Sequence, residues 1–219
     1  MSVTKAPRVE QRSDTRMHAL LEAALEVFAE RGYRTARLDD VAEAAGVTKG
    51  AIYHYFDTKE ALLLGVVEHY QALAFDRAEE ALRDSRMPAT ARIRLLMRKV
   101  FANGDPESGQ RLLTLLIGGL AHEVPVVHAR WLQDGPARLW KMIGRLVEEG
   151  KKRGEFRPDA DGEVGARLLV SGLMLQRMWQ QHADDVPGLA VDHDRLIDSS
   201  VELFLASLRA PSGTRSSAT

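Results

Sequence analysis

The stretch Leu38–Lys59, LDDVAEAAGVTKGAIYHYFDTK, decides how this chain is read. Two short apolar patterns at helical spacing flank a glycine, and a Lys, Tyr and His cluster follows. Val41, Ala42 and Ala45 give the first pattern a small apolar inner face, which lets a second helix approach closely. Gly46 stands where the chain turns sharply, a place for a residue that tolerates positive φ. Val47 follows as an apolar plug, and Thr48 is placed to cap the next helix. In that helix, TKGAIYHYF, Ile52 and Phe56 are four residues apart and face inward. This is the pattern of a helix-turn-helix, in which one helix crosses the DNA backbone and the next lies in the major groove.

The inward pair leaves an outward face. Thr48, Lys49, Gly50, Ala51, Tyr53, His54 and Tyr55 point to the groove. Lys49 is suited to guanine O6 or N7 and Ala51 to a thymine methyl. Gly50 permits close backbone approach, and the tyrosine hydroxyls suit phosphates. Arg37, ahead of the first of the two helices, and Lys59, at the start of the helix after them, add positive charge. Packing is the competing reading for Tyr53, and an incidental surface position for His54.

Charge does not announce a DNA-binding chain. Formal net charge is −1 over 219 residues. Residues 1–60 hold nine Lys/Arg against ten Asp/Glu. Any phosphate binding must therefore come from local placement. Hydrophobic residues make up 45%, enough for a sizeable core. The absence of cysteine excludes a disulfide framework, thiolate zinc sites and a cysteine nucleophile, and it fits a cytoplasmic protein. The longest nearly apolar run, Leu112 to Ala121, is too short to span a bilayer. No export signal is visible at the N-terminus.

Outside the motif the chain reads as helix throughout. Leu20, Ala24, Val27 and Phe28 recur at helical spacing, from a start near Asp14 to a stop at Gly32. Asp57 with Glu60 resembles a capping box for a long helix over 58–84. Breakers at Met87-Pro88, Asn103–Gly109, Pro125, Gly135-Pro136 and Arg153–Gly162 separate helical segments near 90–102, 110–123, 125–152, 162–183 and 193–208. Pro125 suits a helix first turn, and Gly135-Pro136 should kink or split its helix. The expectation is an all-α chain of about nine helices. Residues 1–13 form a flexible arm carrying Lys5, Arg8 and Arg12, 14–60 the helix-turn-helix domain, 61–209 a larger helical domain, and 210–219 a disordered tail.

Residues from about Asp14 to Leu63 resemble the DNA-binding domain of the TetR family of bacterial transcriptional regulators. AALEVFAERGY (Ala23–Tyr33), DDVAEAAGVTKGAIYHYFDTKEAL (Asp39–Leu62) and their spacing carry the resemblance. It implies that Thr48, Lys49, Gly50, Tyr53, Tyr55 and Lys59 face DNA and that Phe56 is structural. The family often has Thr or Ser just before the helix that crosses the DNA backbone; Ala36 and Arg37 stand there instead. The resemblance also implies a C-terminal domain that dimerises and binds an effector. Partners are then operator DNA, a small largely apolar effector and a second copy of the chain, with no membrane. The implied function is a repressor released from a palindromic operator. Activation, corepression, or a helical enzyme or metal-binding protein are the alternatives.

Two residue sets in the second half follow. Ala166, Leu169, Val170 and Leu173, with Ile197, Val201, Phe204, Leu205 and Leu208, form apolar stripes suited to a four-helix dimer interface. Met97, Phe101, His122, Trp131, Trp140, Met174, Met178 and Trp179 are candidates for an effector pocket. His122-Glu123 and His128 lack the spacing of a catalytic zinc site. No catalytic residue, metal site or cofactor is expected.

Overall fold

The computed structural model describes the backbone of residues 7–82, 86–101, 106–183, 186 and 188–209. Among these residues the structure is entirely helical, without a strand. The expected tail at 210–219 and the side chains of Lys5, Arg8 and Arg12 lie outside the described residues.

Contacts divide the chain into two compact units. The first comprises residues 1–73 and 105–134. It contains α1 (Pro7–Arg31), α2 (Leu38–Ala44), α3 (Lys49–Tyr55) and the first part of α4 (Lys59–Leu82). It also contains α6 (Pro106–Leu115), which runs through a π-helical turn (Leu116–Leu120) into the short α7 (Ala121–Glu123), and then α8 (Pro125–Asp134). The helix-turn-helix therefore shares a packing unit with a segment more than forty-five residues beyond it in sequence. α6 packs along α1. Leu20, Leu21, Ala24, Leu25 and Phe28 of α1 close the core with Val41, Ile52, Leu62, Leu63 and Val66.

α1 starts at Pro7, ahead of the expected start near Asp14. Proline suits a first helical position because its missing N–H has no partner there in any case. α1 ends at Gly32, whose φ of 74° is the left-handed stop read from the sequence. Pro125 opens α8 and Gly135 separates it from the next helix, which begins at Pro136, as their residue types require.

The second unit comprises residues 74–104 and 135–219. It holds the end of α4, then α5 (Ala89–Phe101), α9 (Pro136–Lys152), α10 (Gly162–Ala183) and α11 (His193–Leu208). α10 packs against α9 and α11, and α5 against the same two helices. α10 and α11 come close at Gly165, where a Cβ would stand 2.6 Å from the Phe204 ring. Two bidentate pairs, Arg94–Glu202 and Arg98–Asp198, fasten α5 to α11 at the surface. Being exposed, such pairs are screened by solvent and add little to stability.

Candidate nucleic-acid interface

α2 is capped without a hydroxyl. Arg37 occupies the N-cap position, and a guanidinium cannot accept a hydrogen bond. The cap comes from the other direction: the Asp40 carboxylate accepts the Arg37 backbone N–H at 2.9 Å. It also pairs with Arg31 at 2.7 Å. The backbone hydrogen bond first, and then the Arg31 charge, hold the Asp40 carboxyl below its usual range.

The turn follows from Gly46, with φ of 64°. Val47 N–H reaches the Ala42 carbonyl at 2.9 Å and Gly46 N–H the Glu43 carbonyl at 3.1 Å. These are the two bonds of a Schellman closure, which needs a left-handed residue between them. The Thr48 hydroxyl then accepts from Ala51 N–H at 3.2 Å, capping α3. Ile52 is fully buried, and Phe56 is half-buried. Phe56 lies over a notch in α4: a Cβ at Gly65 would stand 2.6 Å from its ring. α4 itself is capped by Thr58, whose hydroxyl accepts from Ala61 N–H at 3.0 Å, so the cap falls one residue after Asp57.

These constraints turn one face of α3 outward. Thr48, Lys49, Gly50 and His54 are exposed, and Ala51 is half-buried. Tyr53 and Tyr55 are 47% and 43% exposed, unusual for rings of that size in a well-packed domain. The His54 ring meets the Tyr55 ring edge-on, with centroids 5.0 Å apart. Gly50 is not explained by the chain's own packing. Its φ is not positive, and a Cβ would meet only the Thr48 hydroxyl, at 3.8 Å. Arg37 is exposed at the edge of the same motif.

Lys59 is placed otherwise than its expected phosphate contact requires. Its ammonium donates to the backbone carbonyls of Tyr33 at 2.6 Å, Ala36 at 2.9 Å and Arg34 at 3.3 Å. It also lies 4.4 Å from the Tyr33 ring centroid. An ammonium has three N–H groups, and all three are used. Burial pushes its pKa down, against the pull of Glu123. Lys59 is thus a clamp on the α1–α2 connection, a role that no local pattern reveals because its partners lie more than twenty residues upstream. Lys49 is also partnered, by Asp39 of α2 at 2.8 Å.

α1 and α4 meet at a histidine pair. His18 Nδ1 and His69 Nε2 are 2.8 Å apart, and His18 Nε2 lies 3.1 Å from Glu22. Burial, and then the His18 charge, lower the His69 pKa; Glu22 opposes them. Among the described residues no group of three His, Cys, Asp or Glu side chains is positioned to hold a metal ion.

In the second unit the nine residues expected at a dimer interface are buried in the unit's own core. The apolar side chains left outside are their neighbours. Leu168 is 72% and Leu203 73% exposed, and Trp179 is 53% exposed. They line a groove between α10 and α11, floored by Leu169, Leu173 and Phe204. Both helices are apolar on two faces, one turned to the unit's core and one to solvent. Of the effector candidates in this unit, Met97 and Phe101 are in the core, Trp140 and Met174 pack against it, Met178 is half-buried, and Trp179 belongs to the outward groove. His122 and Trp131 fall in the first unit, exposed and buried respectively.

A three-helix head with a capped α2, a left-handed turn and an outward α3, joined to a further helical unit, defines a helix-turn-helix DNA-binding regulator. Residues 20–66 match the family described as bacterial regulatory proteins, tetR family, which gives the chain a DNA-binding domain of the TetR type. It is 26% identical to the HTH-type transcriptional repressor KstR2 of Rhodococcus jostii over 192 residues, covering 88% of this chain and 90% of that one. It is 29% identical to the transcriptional regulator AcuR of Cereibacter sphaeroides over 157 residues, covering 70% and 71%. In fold it is similar to FadR from Bacillus subtilis in complex with stearoyl-CoA, with a TM-score of 0.71 and 23% identity over 88% of this chain and 99% of that one. Among the described residues no helix is long and apolar enough to cross a membrane.

Proposed function

We propose that this chain is a homodimeric repressor that leaves a palindromic operator when a small, largely apolar effector binds. The observation that carries the DNA-reading part is the outward face of α3. Lys49, Tyr53, His54 and Tyr55 surround a glycine for which the chain itself has no packing reason. Arg37 completes this face; Lys59 supports it from behind. The protein acts by binding, in the cytoplasm, and not by catalysis.

The dimer reading rests on the groove between α10 and α11. Leu168, Trp179 and Leu203 form an exposed apolar strip that water covers poorly. A second copy in twofold arrangement would bury it as a four-helix bundle and present two α3 helices to half-sites about 34 Å apart. The apolar residues Met97, Phe101, Trp140 and Met174 favour an effector of matching chemistry in the second unit. KstR2 is named a repressor, and FadR was crystallised with an acyl-CoA, which supports both halves of the reading. Release requires that the effector bind the DNA-incompetent form more tightly than the competent one. α4, whose residues 59–82 belong to both units, is the element through which that preference reaches α3.

Selection from random duplexes by the full chain, with and without acyl and polycyclic ligands, tests this. The expected product is an inverted repeat whose enrichment is lost with one ligand class. Failure to enrich any duplex would overturn the reading, and enrichment only with ligand would reverse its sign.

A further inference from the structure

Resting on the DNA-reading face proposed above, we infer that Asp39 is a specificity-determining residue of that face, holding Lys49 away from sequence-independent phosphate contacts. The Asp39 carboxylate lies on α2, 2.8 Å from the ammonium of Lys49 at the first turn of α3. Both groups are exposed, the lysine 45% and the aspartate 64% by side chain. The pair stands on the surface that would meet DNA, and it is one of three such commitments. Arg31 is held by Asp40, and Lys59 by three carbonyls. Among the described residues from 31 to 59, Arg34 and Arg37 are the Lys and Arg side chains that donate no hydrogen bond to a carboxylate or carbonyl; Asp40 acts on the Arg37 guanidinium through charge alone.

Binding to arbitrary DNA is almost wholly phosphate attraction. A phosphate that took Lys49 would leave the Asp39 carboxylate unpaired beside a polyanion, so on arbitrary sequence the pair stays closed. At a cognate site α3 sits deeper, and a guanine edge offers Lys49 two acceptors that a phosphate at the surface does not. There the pair opens. Asp39 thereby lowers background binding more than operator binding, which is what a regulator searching an excess of arbitrary sequence requires.

Salt-dependent titrations of the full chain on its selected duplex and on a scrambled duplex test this, with Asp39→Asn, Lys49→Met, the double variant and Arg37→Ala. One added phosphate contact steepens the slope of log K against log salt by about 0.9, or roughly eightfold in affinity at 0.1 M salt. Asp39→Asn should show that gain on scrambled DNA and a smaller one on the selected duplex, so the ratio between them falls several-fold. The double variant should return to the wild-type slope on scrambled DNA. An unchanged slope in Asp39→Asn, or a gain that persists without Lys49, overturns the inference. Absence of salt-dependent binding by the wild type and no loss in Arg37→Ala would instead overturn the DNA-reading face itself. Thermal melts accompany each variant, and Asp39→Ser replaces Asp39→Asn if the latter melts early.

Discussion

Gly50→Ala should stabilise this protein and cripple its DNA binding, two effects of opposite sign from one methyl group. Gly50 lies in the first turn of α3, exposed, with ordinary helical φ. An added Cβ meets only the Thr48 hydroxyl at 3.8 Å, an ordinary contact. Within the free chain, alanine therefore gains its helix preference over glycine, about 0.5–1 kcal/mol, without a steric cost. For a chain of this size that raises the melting temperature by roughly 1–4 °C. With α3 seated in the groove as proposed, the same methyl would occupy the space through which its backbone approaches DNA. Wedging a methyl into a close-packed contact costs about 1–3 kcal/mol, or roughly five- to 150-fold in affinity. Calorimetry and fluorescence anisotropy on one preparation measure both. A stabilised variant with undiminished affinity would refute the placement of Gly50 against DNA. A destabilised variant would refute the steric reading of the free chain.

Lys59→Met removes three hydrogen bonds from the α1–α2 connection and should lower stability by about 1.5–3 kcal/mol in urea titration, with the salt slope of DNA binding unchanged; a slope reduced by about 0.9 would restore Lys59 as a phosphate ligand. Leu203→Glu places a charge on a side chain 73% exposed within its own chain, so sedimentation should show monomers that fold normally and bind a full operator weakly; a persistent dimer would move the interface elsewhere. His69 takes up a proton less readily folded than unfolded, because its folded pKa lies below its usual value. Stability should accordingly be complete above about pH 6.5 and decline as the pH falls below it. A urea midpoint flat from pH 7.5 to 5, or a decline undiminished in His69→Gln, would contradict that assignment.

What the sequence discloses here is local. Gly32 and Gly46 announce left-handed turns, Thr48 a cap, and Ile52 with Phe56 an inward face, because each signal lies within a turn or two of its consequence. The clamp made by Lys59 is invisible at that range, since a lysine beside a helix start reads equally as a phosphate ligand. Asp39 and Lys49, ten residues apart, meet only because the turn at Gly46 folds α2 against α3. α10 and α11 show the complementary difficulty. Leu168 and Leu169, or Leu203 and Phe204, are adjacent apolar residues, and hydrophobicity alone does not say which one of each pair faces the core. Solvent exposure in the folded unit separates them: Leu169 and Phe204 are 7% exposed, Leu168 and Leu203 more than 70%.

A cleaving reagent carried on the outward face of α3 tests directly whether that face lies against DNA bases. The chain has no cysteine, so His54→Cys provides a unique thiol on that face for a tethered DNA-cleaving reagent. Cuts are expected at two clusters of the selected operator, one in the major groove of each half-site and about one helical turn apart. The same reagent on Leu168→Cys should give none. Cleavage that is absent or scattered from position 54, or concentrated from position 168, would contradict the claim.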